Sequence, residues 1–316
     1  MSTEVTKANA ATPAKSKIDV LKNILNAQSV QDQFKNALDK NSGPFVASVI
    51  DLYNSDSGLQ ACEPKAVVME ALKAAVLKLP INKSLGFAYI VPYNNSVKQP
   101  DGSWIKVPTP TFSIGYKGLI QLAMRTGQYR YLNADVVYEG ELGKKDKLTG
   151  VISFDGEATS DKVIGYFCHF ELLNGFSKTL YMTVEQISKH AKKYVPTLQA
   201  KGPGGKDKVP VEQLIALANS PETGKVGWEG NFTGMALKTV VRNLLSKYGY
   251  LSIEMQQAIV EDKDFDYEEA RKEELNNAAT KSIAVESVQY EEVSEEQSGK
   301  EEAPAQEEEE TPPYEQ

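Results

Sequence analysis

Only four arginines occur in the chain, and three of them, Arg125, Arg130 and Arg242, lie in or beside two amphipathic stretches. After Gly115, the residues Lys117, Gln121 and Arg125 recur at i, i+4 and i+8, opposite an apolar face of Tyr116, Leu119, Ile120 and Ala123. Eight residues of helix span about 12 Å, roughly two phosphate steps of a single strand. Phe112, Tyr116, Tyr129 and Tyr131 flank this stretch. The second stretch, Asn231 to Tyr248, carries Leu237, Val240, Val241, Leu244, Leu245 and Tyr248 as an apolar stripe, with Lys238 and Arg242 off it at i, i+4. Lys192 and Lys193 add two cations on a third charged segment. Cations neutralise phosphates whatever the base, and aromatic faces accept any base. The combination suits sequence-independent binding of a single nucleic-acid strand. Its candidate contacts are Phe112, Tyr116, Lys117, Arg125, Tyr129, Arg130, Lys192, Lys193, Lys238 and Arg242. The same spacings also describe solvated helix faces with core aromatics, and spacing leaves both open.

Other chemistries find little support. Gly202-Pro203-Gly204-Gly205-Lys206 resembles a phosphate loop, but Asp207 stands where Ser or Thr is needed. Neither GxGxxG nor GxSxG occurs, which argues against hydride transfer and the common α/β-hydrolase design. Two histidines, His169 and His190, and two cysteines, Cys62 and Cys168, are too few for a Cys/His metal cluster or a disulfide framework. Asp135, Glu139, Glu141, Asp155, Glu157 and Glu171 could chelate Mg²⁺ for a nuclease, though without a recognisable spacing. No catalytic residue, no metal site and no required cofactor is expected, with Mg²⁺ at most a counterion of the nucleic acid. A metal-dependent nuclease and a passive single-strand-binding protein are the alternatives.

The elements that must position these residues follow from periodicity. Ile18, Leu21, Ile24 and Leu25 predict a first helix, Ser29 a cap for a second, Pro44 the start of a third and Pro64 the first position of a fourth, ended by Pro80. The pattern then turns to period two. Strands are predicted at Phe87 to Tyr93, Trp104 to Ile114, Tyr129 to Tyr138, Val151 to Phe154, Val163 to Leu173 and Phe176 to Met182. Pro108 and Pro110 mark an edge or an irregular hairpin arm, and Asn174-Gly175 marks a tight hairpin. A short helix, Tyr116 to Thr126, is inserted among the strands. Thr183 and Gln186 form a capping-box pattern. Helices follow at Asn231 to Tyr248 and Ile253 to Val260. This order predicts an α+β fold: a mostly antiparallel sheet with an inserted helix, flanked by N-terminal and C-terminal helices.

The chain has 316 residues and a net charge of -8, from 35 basic and 43 acidic residues. Residues 261–316 hold 20 acidic and 5 basic residues, which leaves 23 acidic and 30 basic in 1–260, a net of +7. Such asymmetry points to nucleic acid or membrane interaction. No apolar run approaches the ~18 residues of a membrane span, and the N-terminus lacks the apolar stretch of a secretory signal. Residues 1–16 are expected to be disordered, 17–260 to form the folded body and 261–316 to be a mostly disordered acidic tail. Residues 199–227, rich in Gly, Pro and Lys, read as a mobile surface loop or insertion containing a short helix. The protein is expected in the cytoplasm.

Three motifs carry a resemblance. Leu85-Gly86-Phe87-Ala88-Tyr89-Ile90-Val91-Pro92-Tyr93, Gly115 through Gln128, and Trp228 through Arg242 resemble, in order and spacing, the RecT family of phage single-strand annealing recombinases. The resemblance covers about residues 20–260. Met124 stands where many relatives carry a second basic residue, and the stretches near 97–110 and 199–227 and the acidic tail are atypical. The resemblance implies ATP-independent binding and annealing of single-stranded DNA, with the annealed duplex held by a ring or helical filament of subunits. It also implies a 5′-to-3′ exonuclease as partner. The tail is expected to compete with DNA for the basic surface or to dock a partner such as the host single-strand-binding protein. The setting implied is a bacterial host carrying a phage or prophage.

Overall fold

The computed structural model describes residues 16–262. The polar stretch before Ser16 and the acidic stretch after Asp262 lie outside them. Five helices open the fold: α1 (Lys17–Asn26), α2 (Gln28–Leu38), α3 (Ser42–Ser55), α4 (Ser57–Ala61) and α5 (Pro64–Val76). α1, α2 and α3 lay Leu21, Leu25, Phe34 and Val49 against α5, whose Val67, Ala71 and Ala75 are small enough for close approach. Pro64 does open its helix. Ser29 does not cap α2, because the chain turns helical one residue before it, after Ala27. α3 begins two residues ahead of Pro44, and α4, too short for a periodic signal, is capped by Asp56. α5 stops at Val76, before Pro80, where Lys78 takes a positive φ of 52°.

The next elements are β1 (Ala88–Lys98), β2 (Trp104–Ile114), α6 (Tyr116–Arg125) and β3 (Tyr129–Tyr138). β1 and β2 form an antiparallel ribbon in unbroken register from Ala88↔Ile114 to Lys98↔Trp104. β1 runs five residues beyond the predicted Tyr93. Pro92 faces Pro110 and Asn94 faces Pro108. In antiparallel pairs the amides at alternate positions point outward. The prolines occupy those positions and cost the ladder nothing, so the ribbon is an edge but not irregular. Phe112 has the same parity, and its outward amide donates to Glu70 of α5 at 2.8 Å. Every residue from Asn94 to Lys98 and from Trp104 to Lys106 is exposed, so the outer half of the ribbon stands clear of the core.

β4 (Val163–Leu172) and β5 (Ser177–Thr183) complete a second antiparallel sheet in the order β3-β4-β5. Asn174-Gly175 turns the hairpin, with Gly175 at φ 84°. The predicted strand at Val151 to Phe154 is reduced to one bridge, Lys145↔Ile152. α7 (Val184–Tyr194) opens with the full capping box of Thr183 and Gln186. α8 (Pro196–Gln199) and α9 (Val211–Leu217) follow. The segment expected as a loose loop packs inward: Val209, Leu214 and Ala218 are buried. α10 (Phe232–Tyr248) lies against α6 and all three strands of the second sheet, and α11 (Ile253–Glu261) closes the described chain. The arrangement is α+β, with the strands divided between two antiparallel sheets.

Candidate nucleic-acid interface

Period two on β1 decides the floor of a cleft. Ala88 and Ile90 face the core, so Tyr89, Val91 and Tyr93 face the other way, opposite Ser113, Thr111 and Thr109 of β2. The start of α6 forms one side. Gly115 is required there because a Cβ would stand 2.1 Å from the Gly86 carbonyl oxygen. The start of α10 forms another, presenting Asn231, Gly234, Met235 and Lys238 along one face. Residues 224–229 and α8 finish the wall, with Trp228 packed edge-on against Phe232 at 5.4 Å. The cleft measures about 370 Å³.

Three lysines, Lys83, Lys225 and Lys238, and four rings, Tyr89, Tyr93, Tyr116 and Trp228, line this cleft together with Glu229. Lys83 is exposed and pairs with Asp56 at 2.5 Å. Burial works against the Asp56 carboxylate, but the Lys83 ammonium and the Leu59 and Gly58 amides outweigh it and hold its pKa below the usual range. Burial raises the Tyr89 phenol, against a pull from Lys238, and raises Tyr116, with Asp135 and Glu222 adding to it. Both hydroxyls therefore stay protonated donors at neutral pH. No side chain caps α6, so its first amides are further donors backed by the helix dipole.

Of the residues the sequence proposed, the structure brings Tyr116 and Lys238 to this cleft and leaves Lys117 exposed beside it, its stem over Gly86. The others go elsewhere. Phe112 is fully buried on the core side of β2. Arg125 turns its guanidinium back onto the Leu77 and Lys78 carbonyls at 2.7 and 2.8 Å, tying off the end of α5. The Tyr129 hydroxyl donates to the Tyr250 carbonyl at 2.9 Å, and its ring packs on Phe170. Arg130 pairs with Glu171 at 2.6 Å. Lys192 reaches the Val209 carbonyl at 2.9 Å and also Leu198 and Asp207, fastening the 198–209 segment. Lys193 is exposed over the Tyr194 ring.

The largest correction concerns Lys238 and Arg242, expected as phosphate contacts on an accessible helix face. Each is 2% exposed. Lys238 donates to Ser113 Oγ at 3.0 Å and to Asp262 at 2.9 Å; Arg242 pairs with Asp262 at 3.1 Å and donates to the Ile259 carbonyl at 2.7 Å. Asp262, assigned to the solvated tail, is itself buried, and Glu261 belongs to α11. The middle of α10, from Ala236 to Arg242, is buried all round, so its polar stripe had to find partners inside.

Sequence reasoning did not name Lys83, Tyr89, Tyr93, Lys225 or Trp228 as contacts, although Tyr89, Tyr93 and Trp228 stand in the motifs that carry the resemblance. Tyr89 and Tyr93 were signalled by alternation with Ala88 and Ile90. Lys83, Lys225 and Trp228 lie in irregular segments, where no period says which way a side chain points. Elsewhere, burial pushes the Cys168 thiol up to about 12, and it raises Cys62 as well. Among the described residues no group of three or more His, Cys, Asp or Glu could hold a metal ion, and no helix is long and apolar enough to cross a membrane.

The cleft walls carry the three motifs read from the sequence, and comparison with known proteins covers the same ground. A family model described as RecT family matches residues 43–281. The uncharacterized protein YqaK of Bacillus subtilis (strain 168) is 38% identical over 261 residues, covering 82% of this chain and 78% of that protein. Protein RecT of Escherichia coli (strain K12) is 27% identical over 265 residues, covering 82% and 85%.

Proposed function

The chain belongs to the RecT family, and from that membership and the cleft we propose that it binds single-stranded DNA and anneals complementary strands in phage-type recombination without nucleotide hydrolysis. One observation carries the assignment to a site: two exposed lysines, four aromatic rings and the open start of α6 share one cleft. Annealing needs phosphate repulsion removed while base edges stay free. Lysines and helix amides act on phosphates, and rings hold bases by their faces, so neither consumes the pairing edge. The contacts we assign are Lys83, Tyr89, Tyr93, Tyr116, Lys117, Lys225 and Trp228.

A cleft of this size touches few nucleotides, too few to discriminate a matched duplex. A row of subunits, as a ring or filament, sums weak contacts through high effective concentration. Mg²⁺ then serves only as a counterion of DNA, and the protein is not an enzyme in the hydrolytic sense. A 5′-to-3′ exonuclease would supply the strand, in the cytoplasm of a bacterial host. The acidic residues beyond 262 would dock a partner such as the host single-strand-binding protein, or compete with DNA.

The test mixes two complementary oligonucleotides, one labelled, with and without protein and without ATP. Faster pairing at unchanged strand length is expected. Slower pairing would mean a passive coating protein, and shortening with Mg²⁺ would mean a nuclease.

A further inference from the structure

If the cleft takes a single strand as proposed above, we infer that the hairpin of residues 200–208 is a second phosphate site, which catches the backbone of that strand where it leaves the cleft. Val195, Thr197 and Leu198 line the cleft, and residue 200 follows two positions later, no more than about 7 Å along the chain. The hairpin holds a fixed shape. The Lys208 amide donates to the Ala200 carbonyl at 3.0 Å and the Gly202 amide to the Lys206 carbonyl at 2.8 Å. Lys192 of α7 ties down both ends through the Leu198 and Val209 carbonyls.

Gly202 to Lys206 resembles a phosphate loop except for the Asp207 that follows, whose carboxylate would repel an anion. The fold disposes of that charge. Asp207 is bound by Lys201, and by Lys192 at 3.4 Å. The Lys201 hydrogen bond, with Lys192 nearby, holds its carboxyl below the usual range. Asp207 is also the only acid in residues 195–210. Lys206 and Lys208 are exposed and stand outside every ion pair of the described residues. At the tip, Gly204 and Gly205 take φ of 76° and 73°, and a Cβ on either would meet nothing within 4 Å. A phosphate can therefore come right up to the main chain there, with the two free lysines next in sequence. The hairpin joins α8 to α9 rather than a strand to a helix, so it lacks the setting of a nucleotide loop. What remains is affinity for phosphate oxygen without a pocket for a base, which suits a strand whose bases must stay free to pair.

The experiment measures fluorescence anisotropy of labelled oligo-dT of about 20 nucleotides, long enough to run past the cleft, with full-length protein at about 50–200 mM salt. Lys206→Met/Lys208→Met should flatten the slope of log affinity against log salt by about 1.4, the value of two lost phosphate contacts on a single strand. Lys144→Met/Lys147→Met removes the same charge from another exposed loop and should keep the wild-type slope. Gly204→Val/Gly205→Val keeps every charge but forces the tip out of its positive φ, and should weaken binding several-fold. Inorganic phosphate replacing chloride at equal ionic strength should compete no better against wild type than against Lys206→Met/Lys208→Met. A wild-type slope in Lys206→Met/Lys208→Met overturns the inference, as does equal flattening in the two lysine pairs or wild-type affinity in the valine variant. Selective competition by phosphate in the wild type would make the hairpin a site for free phosphate and overturn its assignment to DNA. Wild-type protein that fails to bind oligo-dT sinks the functional proposal instead.

Discussion

Ending the chain at Val260 should damage the fold far more than ending it at Lys263. Both truncations remove the acidic stretch, so they differ little in overall charge. They differ in Glu261, the last residue of α11, in Lys263, and above all in Asp262, which is buried with Lys238 and Arg242 on its carboxylate. Removing one partner from a buried ion cluster costs about 3–5 kcal/mol, because the partners left behind are desolvated charges. For a body of this size, 1 kcal/mol moves the thermal midpoint by roughly 2–4 °C. The shorter chain should therefore melt roughly 6–20 °C below the longer one, followed by circular dichroism at 222 nm. The loss should be insensitive to salt, since buried charges are screened little. Midpoints within about 2 °C would refute the reasoning and show that the cluster finds other partners or water.

Changing Lys83, Lys117 or Lys225 to Ala should weaken oligonucleotide binding alike for every sequence and flatten the salt slope by about 0.7 each; sequence-dependent losses would argue for base readout. Replacing Tyr93 by Ala should cost about 1–3 kcal/mol of binding through lost stacking, read by the same titration. Gly115→Ala drives a methyl to 2.1 Å from the Gly86 oxygen and 3.1 Å from the Tyr89 ring, and should cost about 1–3 kcal/mol of stability, read as a lowered urea midpoint. Burial, with Lys193, Arg242 and Lys247 nearby, lowers His190 from 6.5 to about 4. As pH falls below 6.5 the unfolded chain takes the proton first, so stability is complete above 6.5 and declines toward pH 4 by up to about 3 kcal/mol. His190→Gln should remove most of that decline, and an unchanged acid limb would show that other groups cause it.

Local chemistry was legible wherever it is decided by neighbours in sequence. Alternation placed β2 and β3 to the residue, and Pro64, Asn174-Gly175 and the Thr183/Gln186 box each mark an observed boundary or turn. The site was legible only in part, because facing is a tertiary property. Lys117 and Arg242 show the same off-stripe spacing, yet α6 keeps a free side while the middle of α10 is buried all round. Lys238 could be placed only by knowing that Asp262, 24 residues later, returns to it. The segment 199–227 misled through composition. Gly and Pro there shape turns that carry Leu214 inward and, at Gly227 with φ 100°, set up the approach of Trp228.

The outer half of the β1–β2 ribbon keeps its shape by main-chain pairing and owes nothing to the core. Its length is therefore free to drift without disturbing Tyr89, Val91 or Tyr93. Two residues can be trimmed from or grafted into each arm around the Pro100-Asp101-Gly102 turn, and the cleft face stays where it is. An odd change in one arm would exchange the sides of the ribbon beyond it, carrying Trp104 across to the flank now held by Val97 and Ile105. Prolines at 92, 108 and 110 remove outward donors only where the ribbon meets the core; the exposed arm beyond keeps its own at Asn94, Ser96, Lys98, Trp104 and Lys106. The arm can lengthen over evolutionary time, or carry a fluorophore in the laboratory, while the cleft face keeps its place.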